Sequence, residues 1–375
     1  MSQTSIPLVD LSIQVREIWD DFQEDFSKLC QSGGFIGGKT VSSFESQFAQ
    51  FMNVDHCIGV GNGGDALELA LRAINVSFGD EVLVPANTFI ATATAVSRVG
   101  AVPIPVDVSE SDFLIDISKI EERVSAKTKA IIPVHLFGQM ADMSSILNIA
   151  SNLELSVIED AAQSQGATQN GASCGSFGVA AATSFYPGKN LGAFGDGGAV
   201  LTNNAEIDKR VRMLRNYGGI EKYEHEIVGF NSRLDAVQAL VLTHKLKHLN
   251  RWNAERQIAA ETYKRNLEGM PNVILPKANV GNNHVWHLYV VRVPQRDKVL
   301  ASLMKQGIGA GIHYPKPFPG LPAYSQNSGT YPACSTANQL SDEILSLPIY
   351  PGITEHQINQ VCHALEQALR FDDRY

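Results

Sequence analysis

The sequence lacks the features that mark several classes of protein. Its five cysteines are odd in number, scattered and without a CxxC pair, which argues against a disulfide framework or a zinc site and suits a reducing compartment. The net charge of −9 includes no basic stripe, so we expect no nucleic-acid partner. No apolar run approaches the roughly 20 residues of a membrane span. The N-terminus has neither the basic region nor the long apolar region of a signal peptide. We therefore expect a cytoplasmic protein without a metal site.

The remaining composition is that of a globular protein long enough for two domains. The 375 residues are 44% hydrophobic and 18% charged, which predicts a sizeable core. From residue 57 to about residue 202, short apolar stretches alternate with helical ones. Their nearly continuous hydrophobicity is typical of strands buried on both faces of a mainly parallel sheet. The predicted strands are CIGVG, EVLVP, VPIPVD, AIIPVH, SVIED, ATSFY and GAVLT.

Helical patterns lie on both sides of this alternation. Apolar residues at helical spacing over residues 11–31 predict an N-terminal helix that ends at Gly33. A second long helical pattern starts at Leu234 and runs towards Tyr263. It is expected to bridge to a second unit.

We place the domain boundary near residue 250. Residues 1–250 would then form the N-terminal helix and a large domain, and residues 251–375 a small C-terminal domain. The small domain is predicted to contain a strand over residues 285–293 and helices near residues 296–306 and 354–370.

Glycine and polar residues follow the strands at the ends where ligands of open α/β sheets bind. The segment GVGNGG from Gly59 to Gly64 matches GxGxxG, but Asp80 and Glu81 precede the next strand instead of closing it, which disfavours a dinucleotide site. The glycines and the helix after them better fit a single phosphate held by backbone N–H groups.

A lysine and a carboxylate lie at two further strand ends. Lys189 is presented by a glycine-rich loop between two buried strands, where partial desolvation would lower its pKa and favour an amine nucleophile. Asp160 closes the strand SVIED; such a residue can cap the next helix, or it can keep a pyridine nitrogen protonated. Phosphate loop, carboxylate and lysine are together the requirements for pyridoxal 5′-phosphate (PLP).

Ordered blocks along nearly the whole chain carry a family resemblance. The blocks are GNGGDALELAL (61–71), PANTFIATATAV (85–96), PVHLFGQ (133–139), VIEDAAQSQGA (157–167), SFYPGKNLGAFGDGGA (184–199), RMLRNYGG (212–219), GFNSRLDAVQA (229–239) and GIHYPKP (311–317). With these blocks the sequence resembles the sugar aminotransferases of the DegT/DnrJ/EryC1/StrS group, which have the fold-type I architecture of aspartate aminotransferase. The resemblance implies a large α/β domain with a mainly parallel mixed sheet, a smaller C-terminal α+β domain, and a homodimer with shared active sites.

Residues that match the family's motifs take their implied roles from the resemblance. Lys189 would form the Schiff base and shuttle the substrate proton, Asp160 would pair with the pyridinium nitrogen, and Gln163 would donate to the ring hydroxyl. Phe89 would stack on the pyridine face, although the sequence alone allows it to be a core residue. The phosphate would be held by Ser184, by the backbone of Gly63 and Gly64, and by Asn231 of the neighbouring subunit.

The chain departs from the family pattern at two places. The family usually has threonine where this chain has Gly64, so one hydroxyl is missing from the phosphate cup. The HYP segment is usually followed by proline, an apolar residue and histidine, whereas here Pro319 and Gly320 follow Pro317-Phe318. That loop is expected to contact the sugar nucleotide. The sugar-pocket candidates are Tyr186, His313 and Tyr314, each of which has a structural alternative.

The implied reaction is a two-stage transamination from L-glutamate to a nucleotide-linked keto sugar. The lysine loop and the region 222–235 look most like enzymes that aminate C3 of a dTDP-linked 3-keto-6-deoxyhexose to give a dTDP-3-amino-3,6-dideoxyhexose. The alternatives are a 4-keto aminotransferase, a sugar dehydratase of the same fold, and a non-catalytic regulatory member. Lys189 disfavours the dehydratase, which typically has histidine there.

Overall fold

The computed structural model describes residues 5–221, 223–325 and 331–370. The helices are α1 Ser12–Ser32, α2 Gly38–Met52, α3 Gly63–Ala73, α4 Ala91–Arg98, α5 Met143–Asn152, α6 Ala205–Leu214, α7 Ala236–Leu246, α8 Leu249–Leu267, α9 Arg296–Lys305, α10 Pro322–Ser325, α11 Ser335–Glu343 and α12 Glu355–Arg370. The strands are β1 His56–Val60, β2 Glu81–Pro85, β3 Val102–Val106, β4 Thr128–Ile131, β5 Ser156–Asp160, β6 Thr168–Gln169, β7 Ala172–Ser173, β8 Ala180–Ser184, β9 Gly198–Thr202, β10 Asn282–Asn283, β11 Tyr289–Arg292 and β12 Ile344–Leu347.

Within the described part of the chain, seven strands form the central sheet in the order β1-β9-β8-β5-β4-β2-β3. The strands β3, β2, β4, β5 and β8 run parallel, and β9 is antiparallel to both β8 and β1. The mainly parallel mixed sheet expected from the sequence is therefore confirmed.

Helices cover both faces of this sheet. Along β2, Val82 and Val84 pack in the core beneath α3 and α4, whereas Leu83 between them packs in the core beneath α2 and α7. Val157 and Ile158 of β5 divide between the same two cores. Side chains of a strand alternate between faces, so apolar residues at every position require such a three-layer arrangement.

A third core lies in the C-terminal part of the chain. It is built from α8, α9, α12 and the antiparallel pair β11 and β12, and Ile6 from the N-terminal segment packs into it. The predicted boundary near residue 250 falls at the start of α8 and stays a prediction. Of the helices in the described ranges, none is long and apolar enough to cross a membrane.

Two local predictions were wrong. The helical pattern after Leu234 forms two helices, because the chain turns at Lys247 and His248. Helix α7 packs on the first core, whereas α8 begins on the first core at Leu249 and Trp252 and continues onto the third. The predicted strand 285–293 is ladder-paired only over Tyr289–Arg292. Before it, the backbone N–H groups of Val285 and Leu288 donate to the carbonyls of Gly138 and Phe137 instead of to a strand.

Candidate active site

The carboxyl ends of β2, β5 and β8 bring the candidate residues to one edge of the sheet. Phe89 lies beyond the end of β2, Asp160 is the last residue of β5, and Ser184 is the last residue of β8. Lys189 follows Ser184 in the loop between β8 and β9. Parallel strands end on the same side of a sheet, which explains how positions a hundred residues apart come together.

The N-terminus of α3 is pressed against β8 and β9. Asn62 caps the helix by accepting a hydrogen bond from the Asp65 N–H at 2.8 Å. A Cβ atom on Gly63 would lie 2.6 Å from the Ser184 Cβ, and one on Gly198 would lie 2.4 Å from the Asn62 carbonyl carbon. Only glycine fits at these two positions. The first N–H groups of a helix have no acceptor within it, so they form a cradle for an anion beside Ser184.

Gly64 occupies a more open position in the same cradle. A Cβ atom there would meet only the Asn62 Oδ1, at 3.2 Å. The departure from the family's threonine therefore falls at a position that can take a Cβ atom with one close contact, to the Asn62 side chain, while the backbone donors remain.

Asp160 is buried and its carboxylate is held at both oxygens. The Thr92 hydroxyl donates to Oδ2 at 2.8 Å, and the Ala162 N–H donates to Oδ1 at 3.2 Å. Burial raises the pKa of Asp160, and these two hydrogen bonds and the charge of Lys189 act against that rise. The carboxylate is thus fixed in direction and partly compensated in charge.

Lys189 is partly buried in a turn where its backbone N–H donates to the Tyr186 carbonyl at 2.9 Å. Burial lowers the pKa of Lys189 to about 8, and the negative charge of Asp160 works in the opposite direction. A considerable fraction of this amine is therefore neutral at mildly alkaline pH, which an ordinary lysine is not.

Two buried side chains hold the lysine loop in place. The Asn190 amide donates to Asn253 Oδ1 at 2.9 Å and to the Val285 carbonyl at 3.0 Å. Lys245 of α7 is 1% exposed and donates to the Gly192 carbonyl at 2.7 Å. These contacts join the loop to α7, α8 and the segment before β11.

Gln163, Tyr314 and Phe89 form a polar and aromatic wall of the site. Gln163 is buried, and its Oε1 accepts from the Phe137 N–H at 2.6 Å while its Nε2 donates to the Tyr314 hydroxyl at 3.1 Å. The Phe137 N–H is a donor only, which fixes the orientation of the amide. The Tyr314 ring centre lies 5.7 Å from that of Phe89. Phe89 is 53% exposed, so it is not the core residue that the sequence also allowed.

The remaining candidates differ in their surroundings. His313 Nδ1 lies 2.8 Å from Ser346 Oγ, and burial lowers the pKa of His313 to about 4, so its ring is neutral at pH 7. Tyr186 is 60% exposed. Asn231 is exposed beside Asn216, with which its backbone forms a bridge.

Several residues of the site were missed by the sequence reasoning. Thr92 lies four residues after Thr88 in the segment PANTFIATATAV, but Thr88 precedes α4, so helical spacing did not indicate that the two hydroxyls meet. Nothing in the sequence around Asn190 indicated that its side chain holds the lysine loop. Nothing indicated Lys245 either, because a lysine in an apolar helical pattern is expected to reach solvent.

His284 and His287 were predicted to be packing or surface residues, and both are buried. His284 Nδ1 accepts from the Trp286 N–H at 2.9 Å, and His287 Nδ1 pairs with Asn190 Oδ1 at 3.1 Å. Across the described ranges, no group of three or more His, Cys, Asp or Glu side chains is placed to hold a metal ion.

Comparison with known proteins agrees with this geometry. The sequence model of the DegT/DnrJ/EryC1/StrS aminotransferase family matches residues 16–366. The chain belongs to this family. It is a PLP-dependent nucleotide-sugar aminotransferase, as its similarity to sugar transaminases over nearly the whole chain shows.

Three relatives define the similarity. The dTDP-3-amino-3,6-dideoxy-alpha-D-galactopyranose transaminase of Aneurinibacillus thermoaerophilus is 43% identical over 363 residues, or 96% of this chain and 99% of the relative. The erythromycin biosynthesis sensory transduction protein EryC1 of Saccharopolyspora erythraea is 42% identical over 96% of this chain and 99% of its own. The crystal structure of S. venezuelae DesV, 41% identical, covers 97% of this chain and 98% of its own with a TM-score of 0.93.

The residues present fit the cofactor of this family. The first N–H groups of α3, which lie beside Ser184 and have no acceptor within the helix, suit a phosphate. A lysine with a lowered pKa and an oriented, buried carboxylate complete the donor set that PLP requires.

Proposed function

We propose that this enzyme transfers the amino group of L-glutamate to C3 of a dTDP-linked 3-keto-6-deoxyhexose, forming a dTDP-3-amino-3,6-dideoxyhexose. The observation that carries the proposal is the pairing of a lysine of lowered pKa, Lys189, with the buried carboxylate of Asp160. The activity named for the A. thermoaerophilus relative supports the choice of C3 and of a dTDP sugar.

When bound, PLP supplies a protonated ring that withdraws electrons from the reacting carbon. In this proposal Lys189 anchors the cofactor and, once it is a free amine, accepts the proton from the donor's Cα at its Nζ atom. An amine must be neutral to accept a proton, and burial increases the neutral fraction of Lys189. Asp160, an oriented carboxylate, keeps the ring nitrogen protonated.

The other proposed cofactor ligands bind and orient the ring and its phosphate. The backbone of Gly63 and Gly64 and the Ser184 hydroxyl would hold the phosphate, Phe89 would cover one ring face, and Gln163 would donate to the ring hydroxyl. Their support is their common position at the carboxyl edge of the sheet and, for Phe89, an exposed ring.

The sugar pocket is proposed to lie between the lysine loop and the wall around Tyr314. His313 and Tyr314 would contact the sugar from one side and Tyr186 from the other. Burial keeps His313 neutral, so it would act on sugar hydroxyls as a hydrogen-bonding group and not as a charge.

We further propose that the active enzyme is a homodimer in which Asn231 reaches the phosphate of the partner subunit. Asn231 is exposed in the single chain. The segments beside it carry exposed apolar side chains, which are Phe35, Ile36, Tyr217, Ile220 and Val228. An exposed apolar patch of this kind is typical of a protein interface.

A regulatory role is the second candidate, because one relative of this chain is named a sensory transduction protein. Such a protein would bind PLP without turnover. The arrangement of Lys189 and Asp160 favours catalysis, since a protein that only binds the cofactor needs no oriented carboxylate to keep the ring nitrogen protonated.

The deciding experiment offers the PLP-loaded enzyme L-glutamate with a panel of dTDP- and UDP-linked 3-keto and 4-keto sugars, and identifies products by mass spectrometry. We expect an amino sugar from the dTDP-linked 3-keto-6-deoxyhexose and none with Lys189→Ala. Amination of only 4-keto or only UDP-linked sugars would overturn the substrate while keeping the reaction. Cofactor binding with no change in its visible absorbance on adding glutamate would favour the regulatory role.

A further inference from the structure

We propose that Thr88 and Thr92 form a chain of two hydroxyls, the threonine relay, that holds Asp160 as an oriented carboxylate towards the ring nitrogen of the cofactor. The inference rests on the role proposed above for Asp160. It assigns a positioning function to two side chains that do not themselves touch the reacting atoms.

The distances define a continuous chain of hydrogen bonds. Thr88 Oγ1 lies 2.9 Å from Thr92 Oγ1, and Thr92 Oγ1 lies 2.8 Å from Asp160 Oδ2. All three side chains are buried. Hydrogen bonds in such surroundings are electrostatically stronger than in water, and bonds in series polarise one another.

The direction of the chain follows from the number of protons. Each hydroxyl has one proton, and an ionised carboxylate only accepts. Thr92 is also 3.2 Å from the Phe89 carbonyl, a longer contact to a neutral acceptor. Thr92 therefore donates to Asp160, and its oxygen is left to accept the proton of Thr88.

An ordinary helix cap does not account for these contacts. Helix α4 begins at Ala91, and Ile90 at its N-cap position makes no side-chain capping bond. A capping threonine accepts from a backbone N–H group, whereas Thr88 bonds the Thr92 hydroxyl. The two threonines face the carboxylate and leave the end of α4 without a cap.

The charged and titratable groups around Asp160 do not themselves keep it an oriented carboxylate once the cofactor is attached. Lys189 lowers the pKa of Asp160 only while it carries a free ammonium, which it loses on attachment to the cofactor. The His135 ring accepts from the Ala141 N–H at Nδ1, and its Nε2 lies 2.9 Å from Glu159 Oε2, so both ring nitrogens are engaged by groups other than the Asp160 carboxylate. Tyr314 is kept protonated by burial, which raises its pKa.

The test compares Thr92→Val, which keeps the shape and removes the hydroxyl, with Thr92→Ser, which keeps the hydroxyl. Each variant is loaded with PLP labelled with ¹⁵N in the ring, and the ¹⁵N resonance reports whether that nitrogen is protonated. We expect the Thr92→Val resonance to move towards the deprotonated position and kcat to fall about tenfold to a hundredfold, the effect of losing one hydrogen bond to a charged group. Thr92→Ser should keep the resonance and kcat near their wild-type values. Thr88→Val should change the resonance and kcat in the same direction as Thr92→Val, but by a smaller amount.

Thr94→Val is the matched control on α4, two residues along and therefore on another side of the helix. It should keep the wild-type resonance and kcat. An unchanged resonance in Thr92→Val, or equal loss in Thr92→Ser and Thr92→Val, would overturn the threonine relay. A wild-type resonance at the deprotonated position that Asp160→Asn leaves unmoved would instead overturn the role of Asp160, which separates the two failures.

Discussion

At the scale of single residues, the chemistry depends on the protonation of one amine. The pKa of Lys189 is lowered to about 8 by burial, whereas an ordinary lysine titrates near 10.5. Asp160 limits this effect, because its negative charge stabilises the ammonium form. The balance keeps the lysine reactive without making it fully neutral.

This balance predicts how fast the cofactor-free protein captures PLP at different pH values. Capture requires the neutral amine, so the second-order rate should rise with pH and level off with a midpoint near 8. Stopped-flow absorbance between pH 6 and 10 measures it. In Asp160→Asn the charge that raises the lysine pKa is removed, so the midpoint should lie lower. A wild-type midpoint near that of an exposed lysine would contradict the assignment of burial as the cause.

At the scale of elements, the phosphate cradle is produced by the fit of α3 against β8 and β9. The helix end approaches the strands so closely that Gly63 and Gly198 leave no room for a Cβ atom. The neighbouring Gly64 has that room. The two adjacent glycines therefore serve different purposes, close packing at Gly63 and an open position at Gly64.

Gly63 and Gly64 are therefore predicted to respond differently to substitution by alanine. Gly63→Ala should lower the free energy of unfolding by about 1–3 kcal/mol through overpacking and weaken PLP binding at least about tenfold. Gly64→Ala should leave the free energy of unfolding within about 0.5 kcal/mol of wild type, because the contact with Asn62 at 3.2 Å is relieved by a small shift. Urea unfolding of the cofactor-free proteins and equilibrium dialysis with PLP provide the two measurements. Equal losses in both variants would show that the cradle is not shaped by this packing.

The elements also show what the sequence reveals and what it does not. The seven central strands were predictable because they contain runs of consecutive apolar residues, a pattern typical of burial on both faces. The break between α7 and α8 was not, since no glycine or proline marks Lys247 and His248 and the turn depends on how α8 passes from the first core to the third. The ends of the strands pointed to Asp160 and Lys189, whereas the contact of Thr92 with Asp160 spans 68 positions and needed the fold.

At the scale of the whole molecule, the single chain leaves one part of the proposed site incomplete. The segment that carries Asn231 is tied to the cradle of its own chain, because the Ser232 hydroxyl donates to Asp65 Oδ2 at 2.7 Å and accepts from the Gly61 N–H at 3.1 Å. Asn231 itself stays exposed next to the apolar surface around Ile36 and Tyr217. An exposed amide at an uncovered apolar surface is placed to serve a second chain.

The shared site predicts complementation between two inactive variants. Lys189→Ala lacks the amine, and Asn231→Ala should be inactive at low PLP concentrations because its phosphate contact is lost. A hybrid dimer contains one site with Lys189 from one subunit and Asn231 from the other, so that site is intact. Unfolding and refolding an equal mixture should make half of the dimers hybrids and restore about a quarter of wild-type activity.

Two controls make the complementation decisive. Each variant refolded alone should stay inactive at the same low PLP concentration, and saturating PLP should rescue Asn231→Ala but not Lys189→Ala, because mass action replaces a lost binding contact but not a lost amine. If Asn231 served the phosphate of its own chain, every hybrid dimer would contain one site without the amine and one without the amide, and mixing would restore nothing. The activity of the mixture therefore distinguishes a site built by two chains from a site built by one.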